Sequence, residues 1–380
     1  MDREAICHPG FEAVASLATK LIEAAGGGAI GVYLNGDCVL DLWAGHRDPE
    51  TGALWESDTM AMCWSTTKGI ASTVLHMLSD RRQLDYDSPI ASYWPEFAAN
   101  GKQDITVRQF MAMEAGLYDV RSLVSDPEQM LNHEVMASLL AAAPPAHQPG
   151  QANAYHAFTY GWIVAELVRS VTGETLGKFV QKEIVEPLGL DGCYIGTPAS
   201  ELGRVAAPAE LKPETAVARR IAKLADPISR LVGFSPKRFA AAFLPRSGHK
   251  VIPTDRFLAA EVPGVNGVFT ARSLARFYAA LVSHDGLDGV QLWSPKTRRK
   301  ATRQQNDRRD LIVPIRVGWR LGYHQPFPKK HSSPEAFGFY GAYGSGGFAD
   351  PEHGLAVGLV VQEAKGVPMK KLLPAIYRSL

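Results

Sequence analysis

The 380-residue chain predicts a mixed α/β (α+β) fold: an antiparallel sheet assembled from both ends of the sequence, flanked by helices, with an all-helical lobe inserted between the two halves. Three observations predict it. Near the N-terminus two apolar runs, residues 29–34 and 38–43, meet at Asn35-Gly36, the strongest short-range hairpin signal. From about residue 88 to residue 150 the chain reads as helices with proline-rich joints, and further helices follow at 157–171 and 176–184. The last hundred residues return to strand-like runs at 312–323, 337–343 and 355–361.

In chain order, residues 11–25 read as a first helix, stopped by Gly26-Gly27-Gly28. The hairpin follows, and a break rich in Asp, Pro and Gly leads to a helix opening at Ser65. Its Ile70, Val74, Leu75 and Leu78 recur at the spacing of one buried stripe. Residues 106–113, 127–142, 157–171 and 176–184 are expected helices, and 147–150 is a loop. Residues 199–260 scatter Arg204, Lys212, Arg219, Arg220, Lys223, Arg230, Lys237 and Arg238 among Ala and Pro, the pattern of a solvated insertion. Helices at 273–282 and 370–377 bracket the C-terminal strands. The division expected is a discontinuous sheet domain, residues 1–87 and 255–380, and a mostly helical domain, 88–254, whose part 199–254 is a variable insertion. No internal repeat is visible.

Forty basic residues face 39 acidic ones, a formal net charge of +1, which gives no reason to expect a nucleic-acid or membrane-surface partner. Cys7, Cys38, Cys63 and Cys193 form no C-x-x-C pair, so neither a zinc knuckle nor a redox dithiol is indicated. The N-terminus lacks a basic region followed by a long apolar run, and no stretch approaches about 18 apolar residues, so the expectation is a soluble, cytoplasmic protein. Oligomeric state is not readable. Gly26, Gly28 and Gly31 satisfy G-x-G-x-x-G, and Gly344, Gly346 and Ala349 its looser form. The first runs from helix to strand and the second into Asp350-Pro351-Glu352-His353-Gly354, so both read as turns, not dinucleotide sites. The eleven histidines contain no H-E-x-x-H, and no metal site is expected. No G-x-S-x-G occurs. A serine nucleophile here needs a base other than that of the α/β-hydrolases.

Residues 63–78 read CWSTTKGIASTVLHML. Ser65 stands where a helix cap belongs. Lys68, three residues on, occupies a position where a capping box takes Glu or Gln and where the helix dipole disfavours a cation by about 0.3–1 kcal/mol. Ser65-Thr66-Thr67-Lys68 is an S-x-x-K tetrapeptide, and residues three apart on a helix share one face, with Cβ atoms about 5–6 Å apart. A serine hydroxyl is a poor nucleophile until a neighbour takes its proton. A lysine, with a reference pKa of about 10.4, can do so only where its charge is disfavoured, as burial and the positive helix end both ensure. The residues alone leave open a plainer alternative, a helix cap followed by a lysine that runs its stem along the surface.

Around this tetrapeptide the sequence resembles the serine β-lactamase and penicillin-binding protein superfamily, nearest to class C β-lactamases and the family VIII carboxylesterases. The resemblance runs through GVYLNGDCVLDLWAG, DTMAMCWSTTKGIAS, ITVRQFMAMEAGL, AYHAFTYGWIVAELVRSVTGETL, VEPLGL and GSGGFADPEHGLAVGL, and leaves residues 199–260 uncovered. It implies a β-lactamase/transpeptidase-like fold, Ser65 as nucleophile, and Tyr155 as the tyrosine opening the second motif. Tyrosine and lysine have similar reference pKa values, so Lys68 and Tyr155 are expected to act as one base pair. Ala342-Tyr343-Gly344, followed by Ser345-Gly346-Gly347, stands where class C enzymes read Lys-Thr-Gly and many family VIII esterases read His-x-Gly. By the resemblance, the N–H groups of Ser65 and Ser345 form the oxyanion hole, worth about 2.7–4 kcal/mol per donor. Gly344 and Gly346 permit close approach of substrate to backbone. Trp64, Tyr343 and Phe348 flank the motifs and either line an apolar pocket or pack the core.

Two departures bear on substrate. The class C pattern places Asn two residues after the tyrosine, where this chain has Ala157, and Ala342 stands where Lys opens the third motif. Both lost groups help β-lactamases hold an amide and a carboxylate. The expectation is therefore a serine carboxylesterase acting through an acyl-enzyme on small esters with an apolar acyl or alcohol part, without metal or organic cofactor. An acyltransferase of the same fold, a β-lactamase or other amide hydrolase, and a non-catalytic binding protein are the alternatives.

Overall fold

Both ends of the chain enter one antiparallel sheet in the computed structural model, which describes residues 4–209, 229, 233–243, 245 and 247–380. The strands are β1 (Ile6–Cys7), β2 (Gly27–Leu34), β3 (Asp37–Asp48), β4 (Ala53–Leu54), β5 (Ala61–Met62), β6 (Cys193–Tyr194), β7 (Val268–Phe269), β8 (Phe337–Tyr340), β9 (Gly346–Asp350) and β10 (Leu355–Val361). The large sheet runs β1-β3-β2-β10-β9-β8, with β4 added to β3. Asn35 (φ +52°) and Gly36 (φ +92°) make the tight turn from β2 to β3, since a two-residue hairpin of this twist requires positive φ at both positions. Strand β10 pairs with β2 on one side and β9 on the other, and all seven of its residues are buried.

Helices cover both faces. On one, Val14, Ala18 and Ile22 of helix α1 (Glu12–Glu23) and Leu372, Leu373 and Ile376 of helix Met369–Ile376 pack onto Ile30, Val32, Val357 and Leu359. Each fully buried aliphatic side chain of this kind contributes about 1.5–3 kcal/mol. On the other face lies helix Ala271–Val282. The glycines expected in turns lie partly in strands. Gly31 belongs to β2, where an added Cβ would stand 3.0 Å from the Cβ of Ala275.

Helix α2 (Thr67–Asp80) is enclosed all round: residues 67–78 are buried, not only the apolar stripe. It packs against helix Thr159–Thr172, helix Pro295–Thr302 and strand β8. The small sheet β5-β7-β6 delivers the chain to its N-terminus.

Other expectations change in detail. Residues 127–142 split into a 3₁₀ turn, Pro127–Leu131, and a helix, His133–Ala142, because the Asn132 side chain accepts from Val135 N and starts a new helix. Residues 312–323 form no strand. Gly318 (φ +74°) and Gly322 (φ +73°) bend the chain, leaving only an isolated bridge between Trp319 and His324. Of the basic residues in 199–260, Lys212, Arg219, Arg220, Lys223 and Arg230 lie outside the described residues.

Candidate active site

Ser65 does not cap a helix. It sits in a single 3₁₀ turn, Trp64–Thr66, between β5 and α2, and Trp64 holds a left-handed φ of +48°. Such a conformation costs a non-glycine residue about 1–3 kcal/mol and persists only where its surroundings impose it. Here Cys63 N donates to Gly267 O at 2.8 Å, Gly267 N donates to Thr67 Oγ1 at 2.9 Å, and the Thr67 hydroxyl donates to Trp64 O. The turn is thereby bolted to the β7 side, and the serine hydroxyl stays free for other partners.

Those partners are the two predicted ones. Lys68 Nζ lies 3.1 Å from Ser65 Oγ, and the Tyr155 phenol donates to the same oxygen at 2.6 Å. Ser65 is 7% exposed and Lys68 wholly buried. Two main-chain carbonyls, Ala157 O at 2.6 Å and Gly264 O at 2.7 Å, take further N–H bonds from Nζ. Gly264 reaches the lysine because Gly161 of helix Thr159–Thr172 has no side chain: a Cβ there would lie 1.9 Å from Gly264 N. Burial pushes the Lys68 pKa well below its ordinary value. A neutral amine has two N–H groups and one lone pair. With both N–H groups given to the carbonyls, the lone pair is left for the Ser65 proton. Burial raises the Tyr155 pKa, with the Asp310 charge adding to the effect, so its phenol keeps its proton and acts as donor. Lys68 and Tyr155 thus meet through Ser65 Oγ.

Residues that the motifs do not reveal hold Tyr155. Asp310 is buried, and its Oδ1 accepts from Tyr155 N (3.3 Å), Ile312 N (2.8 Å) and Val313 N (3.0 Å). Its Oδ2 accepts from Trp319 Nε1 at 3.0 Å, and the Trp319 ring stacks on Tyr155 at 5.4 Å and 22°. Phe339 stacks on the phenol ring at 6.1 Å, and Phe243 tilts against it at 5.6 Å. The local sequence signal for Asp310 is an Asx turn, an aspartate capping N–H groups two and three residues on. Trp319 carries no sequence signal. His156, next to Tyr155, is buried with its pKa depressed to about 3. Its Nε2 accepts from Leu117 N, which makes it a neutral structural group.

The third motif is placed differently from expectation. Gly341, at the end of β8, packs on the serine turn: an added Cβ would lie 2.2 Å from Cys63 O. Gly341 is extended (φ −92°, ψ 168°), so successive N–H groups point to opposite edges of the strand. That of Tyr340 points outward, to His324 Nε2 at 3.1 Å, and that of Gly341 inward, to Ser345 O at 2.8 Å. The N–H of exposed Ala342 therefore returns to the outer edge. Ser345 is 1% exposed, and its hydroxyl donates to Val361 O at 3.2 Å and accepts from Val361 N at 3.1 Å. The expected N–H of Ser345 at the cleft is corrected on its main chain: Ser345 O accepts from Gly341 N on the inner edge of β8, the edge opposite Ala342 N–H, and the hydroxyl ties the turn to β10.

Trp64 and Tyr343 do come together, with ring centroids 5.2 Å apart. Gly344 (φ +103°) faces Ala364 and Pro368, and Gly346 lies beneath the Tyr340 ring. Phe348 is a correction. Side chains alternate along β9, and Phe348 falls on the face covered by α1 and helix Met369–Ile376, fully buried away from Ser65. A second S-x-x-K, Ser247 to Lys250, lies in an exposed 3₁₀ turn with neither a tyrosine nor burial to activate it. Among the described residues no cluster of three or more His, Cys, Asp or Glu could hold a metal ion, and no helix is long and apolar enough to cross a membrane.

This fold with this site is that of the serine hydrolases built on the β-lactamase scaffold, and the chain belongs to the Beta-lactamase family, whose model matches residues 14–378. It is 37% identical over 342 residues to the esterase/beta-lactamase LipL of Mycobacterium tuberculosis (strain ATCC 25618 / H37Rv), covering 88% of this chain and 76% of that protein. Among solved structures it is similar to a penicillin-binding protein homolog from Caulobacter crescentus (TM-score 0.87, 30% identity, 99% of each chain). It is also similar to a family VIII carboxylesterase (TM-score 0.86, 34% identity, 99% of each chain).

Proposed function

We propose that the protein is a serine carboxylesterase that cleaves carboxylic esters through an acyl-enzyme on Ser65. The observation that carries this reading is the convergence of Lys68 Nζ and the Tyr155 phenol on Ser65 Oγ, at 3.1 and 2.6 Å, with Lys68 wholly buried and Ser65 keeping a small exposed face. The Ser65 oxygen attacks the ester carbonyl while its proton passes to the Lys68 lone pair. The developing oxyanion is held by the N–H groups of Ser65 and Ala342; what supports this is that Gly341 packs on Cys63 and Thr66, which flank the serine turn, while its extended backbone turns the next N–H, that of Ala342, to the outer edge. As the carbon–oxygen bond breaks, Tyr155 gives its phenol proton to the departing alcohol, and the Lys68 ammonium returns a proton to the phenolate. Water then enters where the alcohol left, and the same steps in reverse order release the acid and restore Ser65.

Esters are favoured over amides by what is missing. Position 157 offers the site its main-chain carbonyl, already bonded to Lys68, and a methyl group; position 342 offers a methyl group and an N–H. Neither holds an amide side group or a carboxylate. The similarity to a protein named both esterase and β-lactamase keeps β-lactam hydrolysis as the second reading. Intact-mass spectrometry after mixing with p-nitrophenyl butyrate and with nitrocefin tests both. The expected result is an acyl adduct and rapid turnover with the ester, absent in Ser65→Ala. Ester turnover retained in Ser65→Ala overturns the nucleophile, and nitrocefin turnover equal to ester turnover overturns the ester preference.

A further inference from the structure

Three phenylalanines lead away from the Tyr155 phenol ring to the protein surface. Helix Pro236–Phe243 starts at Ser235, whose hydroxyl accepts from Arg238 N at 3.2 Å, and Arg238 also meets the Tyr118 phenol. The helix therefore has a fixed seat. Its Phe239 and Phe243, four residues apart, share one face and stack at 4.6 Å and 24°. At the inner end, Phe243 touches the Tyr155 ring at 5.6 Å. At the outer end, Phe239 meets Phe234 at 6.1 Å and is 36% exposed, one of few large apolar side chains on the described surface. An apolar path continuous with a reacting group has a natural occupant, the apolar part of the molecule that reacts.

Which part of the ester it takes follows from the chemistry of Tyr155, and rests on the carboxylesterase reading above. The group that protonates a departing alcohol must lie beside the alcohol oxygen. Trp319 and Phe339 already stack on the Tyr155 ring, so whatever carbon chain that oxygen carries leaves past Phe243, which abuts the ring at 5.6 Å. The acyl part extends from the carbonyl carbon on the other side, toward the turn of Ala342 and the paired rings of Trp64 and Tyr343. We propose that the Phe243–Phe239–Phe234 ladder is the binding track for the alcohol portion of the substrate, which makes this an enzyme for esters of long or bulky apolar alcohols with small acids. The step is ordinary acyl transfer to Ser65: one carbon–oxygen bond forms, another breaks, and the alcohol leaves with the Tyr155 proton.

Two ester series separate the two sides of the site. Acetates of methyl, butyl, hexyl and octyl alcohol lengthen the alcohol, and methyl esters of acetic, butyric, hexanoic and octanoic acid lengthen the acid; kcat/KM for each is read by pH-stat. Burying one methylene corresponds to about a fourfold gain. The expected wild-type result is a climb approaching that factor per methylene in the alcohol series, against a flat or falling acid series. In Phe239→Ala the octyl-to-methyl acetate ratio falls by about tenfold or more, and Phe239→Leu restores most of it. A ratio unchanged in Phe239→Ala, or a climb confined to the acid series, overturns the track while leaving the esterase reading intact. If no ester of either series shows turnover that Ser65→Ala abolishes, both readings fall together.

Discussion

Replacing Lys68 with methionine removes the amine while nearly preserving side-chain volume, and it tests the claim that this lysine works as a neutral base. In the native protein Nζ is fully buried, with two carbonyls at 2.6 and 2.7 Å and Ser65 Oγ at 3.1 Å. Burial accounts for its depressed pKa, and the amine lies over the faces of Tyr155 and Phe339, 5.1 and 5.7 Å from their centroids. Loss of a positioned general base costs about 10²–10⁴ in rate, or about 3–5 kcal/mol of transition-state stabilisation. Lys68→Met should therefore lower kcat/KM for p-nitrophenyl acetate by that factor, with a native circular dichroism spectrum. Lys68→Arg should not rescue it, because a guanidinium keeps its proton. In the wild type kcat/KM should rise as the amine deprotonates and level off at a pH below that at which an exposed lysine titrates. The same shift sets a stability slope. Between the depressed folded-state pKa and the unfolded value of about 10.4, the unfolded chain binds more protons, so stability increases with pH across that window. Urea titrations at several pH values should show that slope in the wild type and its loss in Lys68→Met. Activity within tenfold of wild type in Lys68→Met, full activity in Lys68→Arg, or a rate still climbing through pH 10.4 would refute the reasoning.

Four further substitutions address the rest of the site. Gly341→Ala puts a Cβ 2.2 Å from Cys63 O and must lift the strand end off the serine turn, so kcat should fall by about 10²–10³, the worth of one oxyanion donor. Ser345→Ala keeps the main-chain N–H and removes only the hydroxyl; it should leave kcat/KM within about threefold and lower stability by about 1–3 kcal/mol, since Val361 loses its partner, and a hundredfold loss of rate at native stability would refute a purely structural hydroxyl. Asp310→Ala frees Tyr155 N and Trp319 Nε1, and should cost about 2–4 kcal/mol in denaturant titrations and reduce kcat more than it raises KM. Phe348→Ala opens a cavity beneath α1 and should cost about 3–5 kcal/mol with KM for small esters unmoved; a selective KM effect at native stability would place Phe348 back in the pocket.

Much of the molecule is legible in the chain. Asn35-Gly36 specifies a hairpin because positive φ at two successive positions is a local demand. The run 355–361 matches β10 because a strand buried on both faces needs continuous apolar residues. The S-x-x-K spacing places Ser65 and Lys68 side by side because they are three residues apart where the chain turns into α2, and their atoms meet as expected. What needed the tertiary structure has one physical source: interactions between residues far apart in sequence. Lys68 owes its partners to carbonyls 89 and 196 residues away. Tyr155 owes its pose to Asp310 and Trp319, which no motif marks. Phe348 and Ser345 were misplaced because alternation in a strand shows that two faces and two edges differ, not which of them meets the cleft. Local sequence determines which groups can react and how neighbours along the chain face one another. Only the packed fold decides which groups lose water, and burial is what turns a lysine at a helix start into a base.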